Sequence, residues 1–91
     1  MKLSKEKKEK ISEQILSYLY TSFPKQPFTA EIAREIARDE EFIKTLLFEL
    51  RDKSLVSSLR QNNQGQPFLR RIRWKLPSKV YEIYHSKSNN L

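Results

Sequence analysis

The sequence has no cysteine and a single histidine, His85, among its 91 residues. Without cysteine there is no disulfide, thiolate zinc site, iron–sulfur cluster or cysteine nucleophile. One histidine without a second at ligand spacing leaves little scope for metal binding or imidazole chemistry. The sequence also has no nucleophile elbow and no phosphate-binding loop. We therefore predict that the protein is not an enzyme, uses no cofactor and no metal, and carries His85 at its surface.

Long apolar runs are missing as well. No stretch approaches the roughly 18 consecutive apolar residues of a membrane-spanning helix. The basic start of the chain is not followed by the apolar run and small-residue cleavage site of a secretory signal. These patterns favour a cytoplasmic protein without membrane contact. A chain of this length has room for one core, so we expect a basic arm or helix start at 1–10, one domain at 11–85 and a polar tail at 86–91.

Positive charge is in excess and unevenly distributed. Lys and Arg total 18 against 11 Asp and Glu, a formal net charge of +7 at pH 7. Residues 1–10 carry five lysines and two glutamates, and residues 11–56 carry six basic and eight acidic residues. Residues 57–91 carry seven basic residues and one glutamate. Such an excess favours a polyanionic partner that contacts the two ends of the chain.

Helix signals fill the first part of the sequence. Ser4 can cap a helix whose apolar residues recur at helical spacing until Pro24 stops it. The two prolines of residues 24–28 predict an extended connector able to form a single bridge at a sheet edge.

Two shorter helices follow with almost no spacer. Thr29 is the predicted N-cap of the first, with Phe28 stapled onto Ala33, and this helix should end near Arg38. Asp39 can cap the second, at residues 40–53, because negative charge suits a helix N-terminus. The apolar face of this second helix consists of Ile43, Leu46, Leu47 and Leu50. Two short helices so closely joined predict a helix-turn-helix.

Beyond residue 54 the pattern changes to period two. Residues 55–61 and 68–75 read as two strands joined by a polar loop with the only glycine of the chain. On the second strand one face is apolar, with Ile72, Trp74 and Leu76, and the other is basic, with Arg71, Arg73 and Lys75. We predict that Trp74 belongs to the core. Ser78 can cap a last short helix in which Val80, Ile83 and Tyr84 align.

This order of elements, and two stretches of the sequence, resemble a known family. Residues 28–56, FTAEIAREIARDEEFIKTLLFELRDKSLV, and residues 73–84, RWKLPSKVYEIY, resemble the winged helix-turn-helix regulators of archaea and bacteria. The usual K-G-L-V of that family stands here as KSLV. The resemblance implies an α+β winged helix with a three-helix core, a two-stranded wing and a short C-terminal helix. It also implies double-stranded DNA binding, as a small transcriptional regulator or an architectural protein.

The resemblance assigns candidate DNA contacts by position. In that family the second helix of the pair enters the major groove, which makes Lys44 and Thr45 the groove candidates. The wing lies against the DNA backbone, where its candidate phosphate contacts are Arg60, Arg70, Arg71, Arg73 and Lys75. A second basic candidate is the N-terminal arm, with Lys5, Lys7 and Lys8. Each basic set can also be simply a solvated surface, because a half-buried strand or helix needs polar residues on its outer face.

The predicted groove helix departs from the family pattern. Its outward face carries Glu41, Lys44, Thr45, Phe48 and Asp52, and carboxylates near phosphates are unfavourable. An alternative function is therefore a protein-interaction winged helix that docks a partner around Glu41 and Phe48. A third is single-strand or RNA binding, with Trp74 and the tyrosines stacked on bases.

The exposed aromatic residues also suggest how the domain assembles. Phe48 could be covered by the arm, by the wing or by a second subunit. Together with Tyr81 and Tyr84 of the last helix, it is a candidate dimer contact, and a homodimer is expected because paired half-sites raise DNA affinity.

Overall fold

The computed structural model describes residues 4–59 and 72–89, the last two of these by their backbone alone. Within these ranges the helices are α1 (Lys5–Ser22), α2 (Thr29–Ile36), α3 (Glu40–Asp52) and α4 (Ser78–Asn89). The strands β1 (Ser57–Leu59) and β2 (Arg73–Lys75) pair as an antiparallel hairpin between α3 and α4. This order confirms the predicted α+β winged helix. No helix of the described ranges is long and apolar enough to cross a membrane.

Helix α1 begins and ends as predicted. The hydroxyl of Ser4 accepts a hydrogen bond of 3.3 Å from the backbone N–H of Lys7. The buried face of the helix consists of Ile11, Ile15, Leu16 and Leu19. The helix ends at Ser22, two residues before Pro24, whose ring cannot continue it.

The connector after α1 joins the sheet. The N–H of Trp74 donates to the carbonyl of Pro27 at 3.0 Å, and the N–H of Thr29 donates to the carbonyl of Ile72 at 3.3 Å. Phe28 forms an isolated antiparallel bridge with Arg73. The predicted edge bridge is therefore confirmed, and the connector lies along the side of β2 that does not pair with β1.

The predicted cap of α2 is wrong by one residue. Phe28, whose backbone is still extended, is the N-cap, and Thr29 is already helical. The Thr29 hydroxyl accepts a hydrogen bond from the Trp74 indole instead of capping the helix. The helix also ends at Ile36 rather than near Arg38, since Ala37 adopts left-handed backbone angles, with φ 61° and ψ 47°. The predicted cap of α3 is confirmed, with the Asp39 carboxylate accepting from the N–H of Phe42 at 3.1 Å.

The core lies between α1, α2, α3 and the base of the hairpin. Helix α3 contributes the predicted apolar face, Ile43, Leu46, Leu47 and Leu50, all buried. After this helix Ser54 has φ 63°, in the left-handed region that glycine adopts without strain. This is the position where the resembled family has its glycine, so serine keeps the conformation that the glycine would take.

The hairpin pairs Ser57 with Lys75, Ser58 with Trp74 and Leu59 with Arg73. Trp74 and Leu76 are buried and Lys75 is exposed, which confirms these three positions and places Trp74 in the core. Arg73, predicted on the basic face, is half-buried. The first strand starts two residues later than predicted, because Leu55 and Val56 still belong to the turn that leaves α3. The predicted loop and the outer parts of both strands lie outside the described residues.

Helix α4 packs on the end of α1 through aromatic rings. Ring centroids are 5.1 Å apart for Tyr20 and Tyr81 and 4.5 Å apart for Phe23 and Tyr81. The predicted place of Ile83 on the packed face is wrong: its side chain is 50% exposed, and Tyr81 packs in its stead. The helix begins at Ser78 itself, so the predicted Ser78 cap is wrong by one residue, and the N–H of Tyr81 bonds to the carbonyl of Pro77. The helix continues to residue 89, into the segment predicted as a tail.

Candidate nucleic-acid interface

Helix α3 exposes mainly carboxylates. Its exposed residues are Glu40, Glu41, Thr45, Glu49 and Asp52, whereas its two basic residues, Lys44 and Arg51, are half-buried. The guanidinium of Arg51 lies 4.7 Å from the centroid of the Phe48 ring and 3.8 Å from the Asp52 carboxylate. The acidic outward face that the sequence predicts is therefore present, and its basic side chains lie closer to the body of the domain.

The two groove candidates differ in their surroundings. Thr45 is exposed, but its hydroxyl donates to the carbonyl of Glu41 at 3.0 Å, within its own helix. Lys44 lines a cleft of about 610 Å³ between α2, α3 and the base of the wing. The cleft is lined by Phe28, Thr29, Ala30, Glu31, Arg34, Glu40, Lys44 and Ile72.

Arg34 is a basic residue that the sequence analysis missed. It is exposed on α2 and lines the same cleft as Lys44, so each of the two helices contributes one basic residue to this cleft. Glu31 and Glu40 lie on the same lining, so its two positive formal charges are matched by two negative ones. The available signal was its place in the helix-turn-helix, two residues after the buried Ile32 and therefore on the opposite side of the helix.

The wing candidates do not behave alike. Lys75 is exposed on β2 and has the accessibility that a phosphate contact needs. Arg73 is half-buried, and its Nη1 donates to the carbonyl of Gln26 at 2.9 Å. Its guanidinium also lies 4.1 Å from the centroid of the Phe28 ring. Arg73 thus holds the connector to the strand, while Arg60, Arg70 and Arg71 lie outside the described residues.

The arm candidates are the first turns of α1. Lys5 and Lys7 are exposed, and the ammonium of Lys8 lies 3.7 Å from the carboxylate of Glu49 on α3. This exposed ion pair contributes little to stability. It does place the start of α1 beside the C-terminal half of α3, so that the basic arm borders the acidic face of that helix.

The aromatic residues predicted as dimer contacts have partners within the chain. Phe48 packs edge-on against Trp74 with a centroid distance of 5.7 Å. The predicted contact of Phe48 with the wing is therefore present in the structure. Tyr84 packs on Tyr20 at 5.8 Å, and burial, followed by the charge of Glu13, raises its pKa. His85 is exposed, as predicted, and its Nδ1 lies 3.3 Å from the Tyr20 hydroxyl oxygen.

One acidic residue ties the connector to α2. The Glu31 carboxylate accepts from the N–H of Phe28 at 3.0 Å and lies 2.8 Å from the ammonium of Lys25. The hydrogen bond from Lys25, followed by that from Phe28, lowers the pKa of Glu31. The same contact with Glu31 raises the pKa of Lys25.

These pKa directions predict how stability depends on pH. Because the pKa of Glu31 is lower in the folded chain, its contribution is complete above its ordinary pKa and is lost as pH falls through the lowered value. Glu31→Gln should lower the free energy of unfolding by about 0.5–1 kcal/mol at neutral pH. The Lys25 contribution has the opposite sign: it is present below its ordinary pKa and is lost as pH rises through the raised one.

Urea unfolding from about pH 7 down into acid tests this, because the difference between Glu31→Gln and the unchanged protein should shrink as Glu31 becomes protonated and comes to resemble glutamine. The control is Glu35→Gln, which removes an exposed carboxylate from the same helix. If Glu31→Gln lowers the free energy of unfolding by as much in acid as at neutral pH, the prediction is contradicted.

The order of elements, the two adjacent helices and the hairpin define the class: the chain is a winged-helix domain. Similar solved structures include S. aureus MepR in its complex with DNA, with 22% identity and a TM-score of 0.69 over 93% of this chain and 69% of that one. S. aureus MepR in a DNA-binding conformation has 20% identity and a TM-score of 0.68 over 87% of this chain. Lactococcus lactis ZitR, a zinc-responsive MarR family member, has 22% identity and a TM-score of 0.62 over 99% of this chain.

These similarities establish the fold. The chain spans only 55% and 56% of the length of that MepR conformation and of ZitR. No protein-family model and no curated protein sequence matches the chain. Within the described ranges no three histidine, aspartate or glutamate side chains are grouped closely enough to hold a metal ion.

Proposed function

We propose that this domain binds double-stranded DNA, as a small transcriptional regulator or an architectural protein, mainly through phosphate contacts. The observation that carries the proposal is its fold, which it shares with MepR, a protein with a solved DNA complex. The net charge of +7, concentrated at both ends of the chain, supports a polyanionic partner.

The contacts we propose come from three places. The wing supplies Lys75 together with Arg60, Arg70 and Arg71, and the cleft supplies Arg34 and Lys44. The arm adds Lys5 and Lys7, which are exposed. Thr45 is the remaining candidate on α3, and its hydroxyl would have to leave the Glu41 carbonyl to reach a base. Arg73 instead joins the wing to the connector, because its guanidinium donates to the carbonyl of Gln26 and lies over the ring of Phe28.

Salt dependence tests the wing contacts. Each neutralised phosphate contributes about 0.9 to the slope of log affinity against log salt concentration. Replacing both Arg71 and Lys75 with alanine should therefore lower the magnitude of that slope by about two and weaken binding to all duplex sequences alike. The measurement is a mobility-shift titration of random duplex at several salt concentrations.

The matched control for this experiment replaces Lys79 and Lys87 with alanine. Both are exposed on α4, so this pair removes the same charge away from the wing. An unchanged slope in the Arg71 and Lys75 variant, or an equal loss in the control, would contradict wing contacts. An unpaired oligonucleotide that competes better than duplex of the same length would favour single-strand or RNA binding instead.

We also propose that the domain forms a homodimer through the outer side of α4. Tyr81 faces α1, and Ile83, two residues on, lies about 200° further round the helix. Its side chain is 50% exposed, which leaves an apolar residue on the side of α4 that α1 does not cover. A second copy of α4 would cover it.

Ile83→Arg should convert such a dimer to a monomer with little loss of stability, because the side chain makes its main contacts with the second copy. Sedimentation at tens of micromolar protein decides this, with Ser86→Arg, at an exposed position of the same helix, as the control. An unchanged protein that is already monomeric, both alone and on DNA, would contradict the homodimer.

A further inference from the structure

One buried hydrogen bond joins the wing to the start of α2. The indole Nε1–H of Trp74 donates to the hydroxyl of Thr29 at 2.8 Å, across 45 residues of sequence. Trp74 is completely buried and Thr29 is 7% exposed, so water cannot replace either partner. Among the described side chains no buried polar atom lacks a hydrogen-bond partner. This bond therefore fixes the rotation of the Trp74 ring relative to α2.

A second tie lies on the other face of the same strand. Consecutive residues of a strand point to opposite faces, so Arg73 and Trp74 reach the connector from two sides. Arg73 holds the Gln26 carbonyl at 2.9 Å and stacks over the Phe28 ring, while the N–H of Trp74 donates to Pro27. Strand β2 is thus fastened to residues 26–29, which lead directly into α2.

The ties fix the wing base relative to the groups that we propose contact DNA. Lys75 follows Trp74 directly on β2, while Arg34 and Lys44 line the cleft next to Phe28 and Thr29. We propose that Thr29, Arg73 and Trp74 are positioning residues, which hold the wing so that its cations and those of α2 and α3 meet one DNA backbone together. This inference rests on the proposed DNA binding. It explains why Arg73, on the basic face of the strand, contacts Gln26 and Phe28 of its own domain.

A held wing binds more tightly because fewer side chains and segments must be ordered when the complex forms. If the ties are loosened, the wing cations remain in the sequence but no longer reach the phosphates together with Arg34 and Lys44. The expected signature is therefore that Lys75 contributes less to the salt dependence of DNA affinity. A simple loss of stability would not change this contribution in the molecules that remain folded.

The experiment compares Thr29→Val with Thr29→Ser, each with and without Lys75→Ala. Valine keeps the shape of threonine but leaves the indole N–H unpaired, whereas serine keeps the hydroxyl. The serine variant should therefore retain a Lys75 contribution of about 0.9 to the salt slope. In Thr29→Val that contribution should fall to less than about half, and duplex affinity should weaken roughly fivefold.

Titrations are made at a temperature where circular dichroism shows every variant folded. Where Thr29→Val does not fold, Arg73→Lys replaces it, because lysine keeps the charge but loses the planar stacking on Phe28 and the guanidinium geometry. If Lys75→Ala lowers the salt slope in the folded Thr29→Val or Arg73→Lys variant by as much as it does in the unchanged protein, the positioning role is overturned. The proposed DNA binding would not be affected by that result. Absence of duplex binding by the unchanged protein would overturn the proposed function and this inference with it.

Discussion

Trp74→Ala is expected to lower the free energy of unfolding by about 3–5 kcal/mol. The indole is completely buried, packs against Phe48 and donates to Thr29, so alanine removes core contacts and leaves a cavity beside three elements. A small domain has about 5–15 kcal/mol of stability in total. The variant should therefore be largely unfolded at moderate urea concentrations at which the unchanged protein is folded.

The measurement is urea unfolding followed by circular dichroism, because the variant lacks the only tryptophan of the chain. Trp74→Phe is the matched control: it keeps an aromatic ring against Phe48 but leaves the Thr29 hydroxyl without its donor. It should cost less than alanine but still about 1–3 kcal/mol. A loss of less than about 1 kcal/mol for Trp74→Ala would contradict the central position of this ring in the core.

The double change Glu40→Gln with Glu41→Gln is expected to tighten non-specific duplex binding by roughly tenfold or more. Both carboxylates are exposed on the first turn of α3, and near phosphates each is unfavourable by about 1 kcal/mol at low salt. Stability should fall at the same time, because negative charge at a helix N-terminus contributes about 0.3–1 kcal/mol per site. Tighter binding together with lower stability would identify the two acids as a brake on non-specific binding.

The matched control changes Glu13 and Glu82 to glutamine, which raises the net charge equally at exposed positions on α1 and α4. Duplex titrations at low salt and urea unfolding are measured for both pairs. If affinity stays constant in the Glu40 and Glu41 variant while its stability falls, the helix does not approach DNA. In that case, docking of a protein partner on the face around Glu41 and Phe48 becomes the better function.

The cap residues show where local sequence was sufficient and where it was not. Ser4 and Asp39 cap their helices as predicted, because each needs only a side-chain oxygen and an N–H three residues later. Thr29 has the same local signature, yet its hydroxyl accepts from a buried indole 45 residues away. Nothing in the sequence around Thr29 indicates that donor, so the cap prediction failed there.

The strand and the third helix show the same division. Period-two alternation placed Trp74 inside and Lys75 outside, but it treated Arg73 and Lys75 as equivalent. They differ because the carbonyl of Gln26 and the ring of Phe28 lie beside Arg73 only in the folded chain. Likewise the helical pattern set Phe48 opposite the buried leucines, and the wing then covered it with Trp74.

The sequence by itself therefore determined the order of the helices and the hairpin, the buried faces of α1 and α3 and the acidic exposed face of α3. These follow from the spacing of apolar and charged residues within one helical turn or one strand. Only the tertiary structure decided which basic side chains are accessible for phosphates, which aromatic residues are covered, and that Arg34 and Lys44 share a cleft. The reason is that these properties depend on contacts between residues far apart in sequence, which come together only when the domain folds.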